Sequence, residues 1–142
     1  MSEQLGTDLI GFTLHQAIGP AASAAATTAD NEYFGFVPNL DITVTAVKWL
    51  PEEAVTGAAT NYVTHKLRNL GTAGSGTTDV ASLAFSTTAV TASAKVPKAI
   101  TLSSTATDLD VSAGEVLEWL VDASGSGLAC PKGTLHIWYK FQ

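Results

Sequence analysis

Thr134-Leu-His-Ile-Trp-Tyr-Lys-Phe141 alternates without a break, with Leu135, Ile137, Tyr139 and Phe141 on one face and Thr134, His136, Trp138 and Lys140 on the other. Successive strand side chains point to opposite faces, so this segment reads as a half-buried β-strand. The same period recurs upstream. Leu117, Trp119 and Val121 share a face, with Glu118 and Asp122 opposite them. Between Asn61 and Leu70, Val63, His65, Leu67 and Asn69 alternate with Tyr62, Thr64, Lys66 and Arg68. Leu40, Ile42, Val44 and Ala46 alternate with Asp41, Thr43 and Thr45, and a slip of phase at Val47-Lys48-Trp49 predicts a β-bulge. Val80–Phe85 and Ala99–Ser103 supply two further strands, and Pro51-Glu52-Glu53 reads as one helical turn stopped by Gly57. Turn chemistry separates these runs at Gly71–Gly76, Ser112–Gly114, Ser124–Gly127 and Cys130–Gly133. Short strands at close intervals, with no long amphipathic helix, predict an all-β, single-domain antiparallel β-sandwich of jelly-roll-like form.

The first 39 residues read differently. They are expected to form an N-terminal arm with a possible first strand at Leu9–His15, ahead of a sandwich domain over residues 40–142. Ala17 to Ala29 is rich in small residues, but Gly19-Pro20 and β-branched Thr27-Thr28 oppose a helix, which leaves a loop with at most one helical turn. Such a segment builds no core of its own; it either gains order against a neighbour or is an ordinary frayed terminus. Leu9, Ile10, Phe12 and Leu14 are its sizeable apolar groups and its expected anchors.

Charge narrows the partners. The chain has 142 residues, one domain by length, with seven Lys and Arg against thirteen Asp and Glu and a formal charge of −6. Arg68 is the single arginine, and no cation precedes Lys48. Nucleic-acid binding needs clustered cations to displace counterions from phosphates, and surface anchoring to a membrane needs them for anionic lipids. Neither partner is expected. No apolar run reaches the roughly 18 residues of a spanning helix. Met1-Ser2-Glu3-Gln4 carries no basic stretch, so no secretory leader is expected. The lone Cys130 excludes an internal disulfide framework and suits a reducing cytosol.

The residues that carry chemistry do not assemble into a motif. His15, His65 and His136 each stand alone in a strand-like run, without ligands at metal spacing. Glu52 and Glu53 are adjacent and diverge, and Asp108-Leu-Asp110 lacks the further oxygens of a calcium loop. Gly71–Gly76 is followed by no phosphate-binding Lys, and Cys130 has only Lys132 nearby to lower its pKa. Trp49, Trp119 and Trp138 would serve either as a sugar-stacking platform or as core and interface packing, with packing favoured. The expectation is no catalysis, no metal and no cofactor. A small enzyme would require His65, His136 and an acid to converge in one pocket.

Four stretches carry a family resemblance: Ile42-Thr-Val-Thr-Ala-Val47, Leu50-Pro-Glu-Glu-Ala-Val-Thr-Gly-Ala-Ala-Thr-Asn61, Leu109-Asp-Val-Ser-Ala-Gly-Glu-Val-Leu-Glu-Trp119 and Gly125-Ser-Gly-Leu-Ala-Cys-Pro-Lys-Gly-Thr134. Over residues 42–70 and 99–141 the chain resembles small capsid decoration (cement) proteins that tailed bacteriophages encode beside the major capsid protein. The resemblance implies a β-sandwich homotrimer on the outside of the head, made in the host cytoplasm, with the major capsid protein as partner. His136 and Trp138, opposite the Leu135 face, join Leu9, Ile10, Phe12 and Leu14 as candidate interface residues. A carbohydrate-binding module, or a fibre- or tail-associated sandwich, is the alternative function.

Overall fold

The computed structural model describes residues 12–142, so Leu9 and Ile10 lie outside the described residues. Its strands are β1 (Leu14–Ala21), β2 (Asn31–Phe36), β3 (Ile42–Pro51), β4 (Val55–Thr56), β5 (Tyr62–Asn69), β6 (Thr78–Ala84), β7 (Thr91–Ala92), β8 (Lys98–Leu102), β9 (Asp110–Val111), β10 (Leu117–Ser124) and β11 (Gly133–Phe141). A four-residue 3₁₀ turn spans Ala106–Leu109. The chain is all-β and antiparallel, as the alternation predicts.

Pairing runs β1-β11-β3-β8-β6-β5-β10-β2 as one continuous sheet, with β9 beside β3 and β4–β7 as a separate ribbon. Ranked first to eighth along the chain, the long strands are β1, β2, β3, β5, β6, β8, β10 and β11. One half of the sheet then reads first-eighth-third-sixth, and the other reads second-seventh-fourth-fifth. Only the connection from β5 to β6 stays within a half. The halves are continuous through β8, which pairs with β3 on one side and β6 on the other. The two ends of the path approach each other: a Cβ on Gly35 of β2 would lie 3.7 Å from Ile18 Cγ2 of β1, and Phe36 of β2 reaches past β1 to Tyr139 of β11, the rings 5.2 Å apart. The sheet is therefore nearly closed, which leaves few exposed backbone edges.

Several local expectations are corrected. The segment expected as an N-terminal arm with a possible first strand contributes two strands, β1 and β2, with Ile18 and Ala21 buried. Of the strand expected at Leu9–His15, residues 9–11 lie outside the described residues, while Leu14 and His15 open β1, which continues to Ala21. The loop expected over Ala17–Ala29 is strand as far as Ala21, and Ala24 bridges Cys130 beyond it. Pro51 is the last residue of β3, opposite Gly133, and Glu52 donates its backbone N–H to the Lys132 carbonyl. That pairing wins over the helical turn expected at Pro51–Glu53. The phase slip in β3 is present, but its extra residue is Thr45, between the pairs Trp138↔Ala46 and Tyr139↔Val44. Ile42, Val44, Val47 and Trp49 face inward around it, and Ala46 does not.

Glu118 has the opposite face from Trp119, as the alternation predicts, but it is only 1% exposed. Beside it, Lys66 Nζ pairs with Asp122 at 2.9 Å.

The two halves meet on an aromatic stack. The ring of His65 from β5 lies 4.0 Å from the Trp49 ring of β3, at an interplanar angle of 27°. Its Nδ1 accepts the Trp119 Nε1–H of β10 at 3.1 Å, and Phe85 packs edge-on against it. An imidazole that accepts at Nδ1 carries its proton on Nε2 and is neutral. Burial pushes the His65 pKa down from 6.5 to about 3, because a charged ring would lose its water. The unfolded chain thus binds more protons than the folded one between those two values. Stability is complete above the unfolded pKa and is lost as pH falls toward the folded one, at up to about 1.4 kcal/mol per pH unit. Urea unfolding near pH 7.5 and near pH 5 checks this. His65→Gln is expected to be less stable at the higher pH yet to lose less on acidification than the parent. An undiminished acid loss in the variant would contradict the assignment.

Candidate functional site

Pairing of β1 with β11 builds a polar and aromatic patch on the outer face of the sheet. His15 stands opposite Trp138 and Ala17 opposite His136, so the two histidines are diagonal neighbours on adjacent strands. Their rings are nearly parallel, at 9°, with centroids 4.9 Å apart and His15 Nε2 at 2.7 Å from His136 Nδ1. The nitrogens sit between the centroids, so the rings meet edge to edge through a shared proton. His136 Nε2 lies 2.7 Å from Thr134 Oγ1, which extends the chain of hydrogen bonds. The Trp138 ring is 4.8 Å from His15, and Lys48 Nζ lies 5.3 Å from its centroid.

A hydrogen bond between two imidazole nitrogens holds one proton, so the pair cannot carry protons on both facing nitrogens. Burial, then the proximity of His15, lowers the His136 pKa from its ordinary 6.5. Acid therefore weakens this contact as well as the His65 stack. The patch is half-buried at His136 and Trp138 and exposed at His15 and Lys48.

Of the expected interface residues, β1 and β11 bring His136 and Trp138 together. Leu14 is half-buried opposite Tyr139 on the other face of the strand, and Phe12 is 61% exposed just before β1. His15, which completes the patch, was not in that set. Its signal is the alternation of β1, which becomes legible only once the register against β11 is known.

The other candidate chemistries separate in space. Trp49 and Trp119 are fully buried, so three exposed indoles do not form a sugar platform. His65 lies in the core and His136 on the outer face, so they do not converge. Asp108 accepts from Ser103 Oγ at 2.6 Å and Asp110 from Thr43 Oγ1 at 2.7 Å, so both acids are engaged by turn and cross-strand hydroxyls. Burial pushes the Cys130 thiol up to about 11, which keeps it protonated and poorly nucleophilic at neutral pH. Among the described residues no group of three or more His, Cys, Asp or Glu is placed to hold a metal ion. No helix among them is long and apolar enough to cross a membrane.

Replacing His15 tests the paired histidines. His15→Ala removes one of the two influences that depress His136 and is expected to raise its pKa toward 6.5. Histidine ring signals followed by NMR through a pH titration report the shift. An unchanged or lower value would show that the two rings do not interact in solution.

No protein-family model matches this chain, and no curated protein or solved structure matches it.

Proposed function

We propose that this chain is a structural virion protein that binds the outside of a phage capsid and stabilises it by non-covalent contacts. The observation that carries the reading is where the stretches resembling decoration proteins fall: on β3, on β9 through the Gly114 turn into β10, and on the turn leading into β11. Of the two central strands of the first-eighth-third-sixth half, these segments include β3 and lead into β11. That order, with second-seventh-fourth-fifth in the other half, is the order of a jelly roll, an architecture used for capsid and lectin domains. We read the fold as such a jelly roll, flattened into two packed halves.

A shell-bound protein needs extensive contacts more than a pocket, and repetition on a symmetric lattice multiplies weak contacts. The patch of His15, His136 and Trp138, with the exposed Phe12 next to β1, offers a hydrogen-bonding and aromatic surface suited to a protein neighbour. The partner in this reading is the major capsid protein, and the self-contact is a homotrimer.

Two measurements test it together. Light scattering of the purified chain is expected to give three times the 14.6 kDa protomer mass. Phage heads lacking the protein are expected to take it up to saturation in co-sedimentation, and Phe12→Asp or Trp138→Ala to weaken uptake by about tenfold or more. No uptake by heads, with uptake by tails or fibres instead, would replace the capsid reading.

A further inference from the structure

We infer that His15 and His136 form a two-ligand site for a divalent transition-metal ion of the class that imidazole binds, such as Zn²⁺, Ni²⁺ or Cu²⁺. The site lies on the outer face of β1 and β11, and it does not depend on the capsid reading.

Register puts the two ligands within reach of one ion. Ala17 stands opposite His136, and His15 lies one step along the same face of β1, so the rings meet diagonally across the strand pair. His15 Nε2 is 2.7 Å from His136 Nδ1, and the two ring centroids are 4.9 Å apart. Each nitrogen is thus aimed at the other ring, with one proton between them. An ion bound to two nitrogens at about 2.0–2.1 Å, at an angle between a right angle and a tetrahedral one, sets them about 2.9–3.4 Å apart. The observed gap is only slightly shorter. His15 is exposed on the outermost strand, with solvent beside it into which the ring can swing. The ion then takes the place of the shared proton, which moves to His15 Nδ1 and leaves both rings neutral.

The surroundings hold both rings in place before an ion arrives. Thr134 Oγ1 lies 2.7 Å from His136 Nε2 and accepts the N–H of that nitrogen when Nδ1 ligates. A partner of this kind fixes the tautomer and the orientation of a ligating histidine. Trp138 packs beside the other ring, 4.8 Å from His15. Two ligands fixed on a strand pair bind one ion more tightly than either does alone, because the second bond forms within the molecule.

Donor type and charge narrow the ion. Neutral imidazole suits Zn²⁺, Ni²⁺ and Cu²⁺, whereas Mg²⁺ and Ca²⁺ prefer oxygen. Among the described residues no third His, Cys, Asp or Glu joins the pair, so water fills the remaining positions. Lys48, opposite His136 on β3, adds a positive charge nearby, with its Nζ 5.3 Å from the Trp138 ring. Binding is therefore weaker than at a closed site of four protein ligands. A bound ion links β1 to β11, the pairing that brings the ends of the sheet together, and stabilises the folded chain.

Titration of the full, untagged chain with Zn²⁺, followed by NMR of the histidine ring signals, tests the site. Zn²⁺ is expected to move the His15 and His136 signals and to leave those of His65, buried in the core, in place. His15→Ala and His136→Ala are each expected to lower the Zn²⁺ affinity measured by calorimetry about tenfold or more, because each removes half of the chelate. Circular dichroism confirms that each variant is folded. Should His136→Ala fail to fold, His15→Ala, at an exposed position, decides alone. Unmoved His15 and His136 signals at saturating Zn²⁺ overturn the inference. Affinity undiminished in the folded variants places the ion elsewhere and overturns it too. Tighter binding of Mg²⁺ than of Zn²⁺ would show an oxygen site, and would also overturn it.

Discussion

The antiparallel pairing of β1 with β11 is the constraint on which the rest of this structure depends. It joins the first long strand to the last, and through β11 it fixes the neighbour of β3. It buries Ile18 and Ala21, brings Ile18 against Gly35 of β2, and so nearly closes the sheet. The same register sets His15 beside His136 and Trp138 on the outer face. Closure and surface chemistry are two consequences of one pairing. Because nearly every long-strand connection crosses between halves, most of the stabilising contacts are far apart in sequence, and such topologies fold slowly.

The two faces of the sheet hold buried polar groups by different interactions. Inside, His65 is accepted into the core because it is neutral, stacked on Trp49 and hydrogen-bonded by Trp119. Outside, Glu118 is buried as one member of an ion row whose atoms do not reach hydrogen-bond distance. The first satisfies the His65 acceptor, leaves the His65 Nε2–H and Trp49 Nε1–H without partners, and ties the halves together. The second holds Arg68 between Glu118 and Asp79 by charge attraction, at 3.5 Å and 3.6 Å.

Alternation made β3, β5, β10 and β11 legible, and the short runs between turn signals placed β6 and β8. The β1 strand was hidden because alanines and Gly19-Pro20 give no periodic apolar signal, and its burial comes from the partner strand. The β2 strand was missed because Gly35 breaks its phase between Tyr33 and Phe36. At Pro51–Glu53, local helix preference pointed one way and long-range pairing with Gly133 the other, and pairing prevailed. Of the surface features, His136 and Trp138 could be placed on one face from their spacing alone. Their contact with His15, and the row from Glu118 to Asp79, depend on cross-strand register, which no single stretch of sequence contains.

Hydrogen exchange along β1 tests the account most directly. If β1 is the outer partner of β11, its ladder amides between Leu14 and Ala21 exchange slowly, within about an order of magnitude of the β11 amides that pair with them. Rapid exchange over that whole segment, as in free chain, while β3 and β11 stay protected, would show a sheet that ends at β11. It would contradict both the closure and the His15–His136 patch.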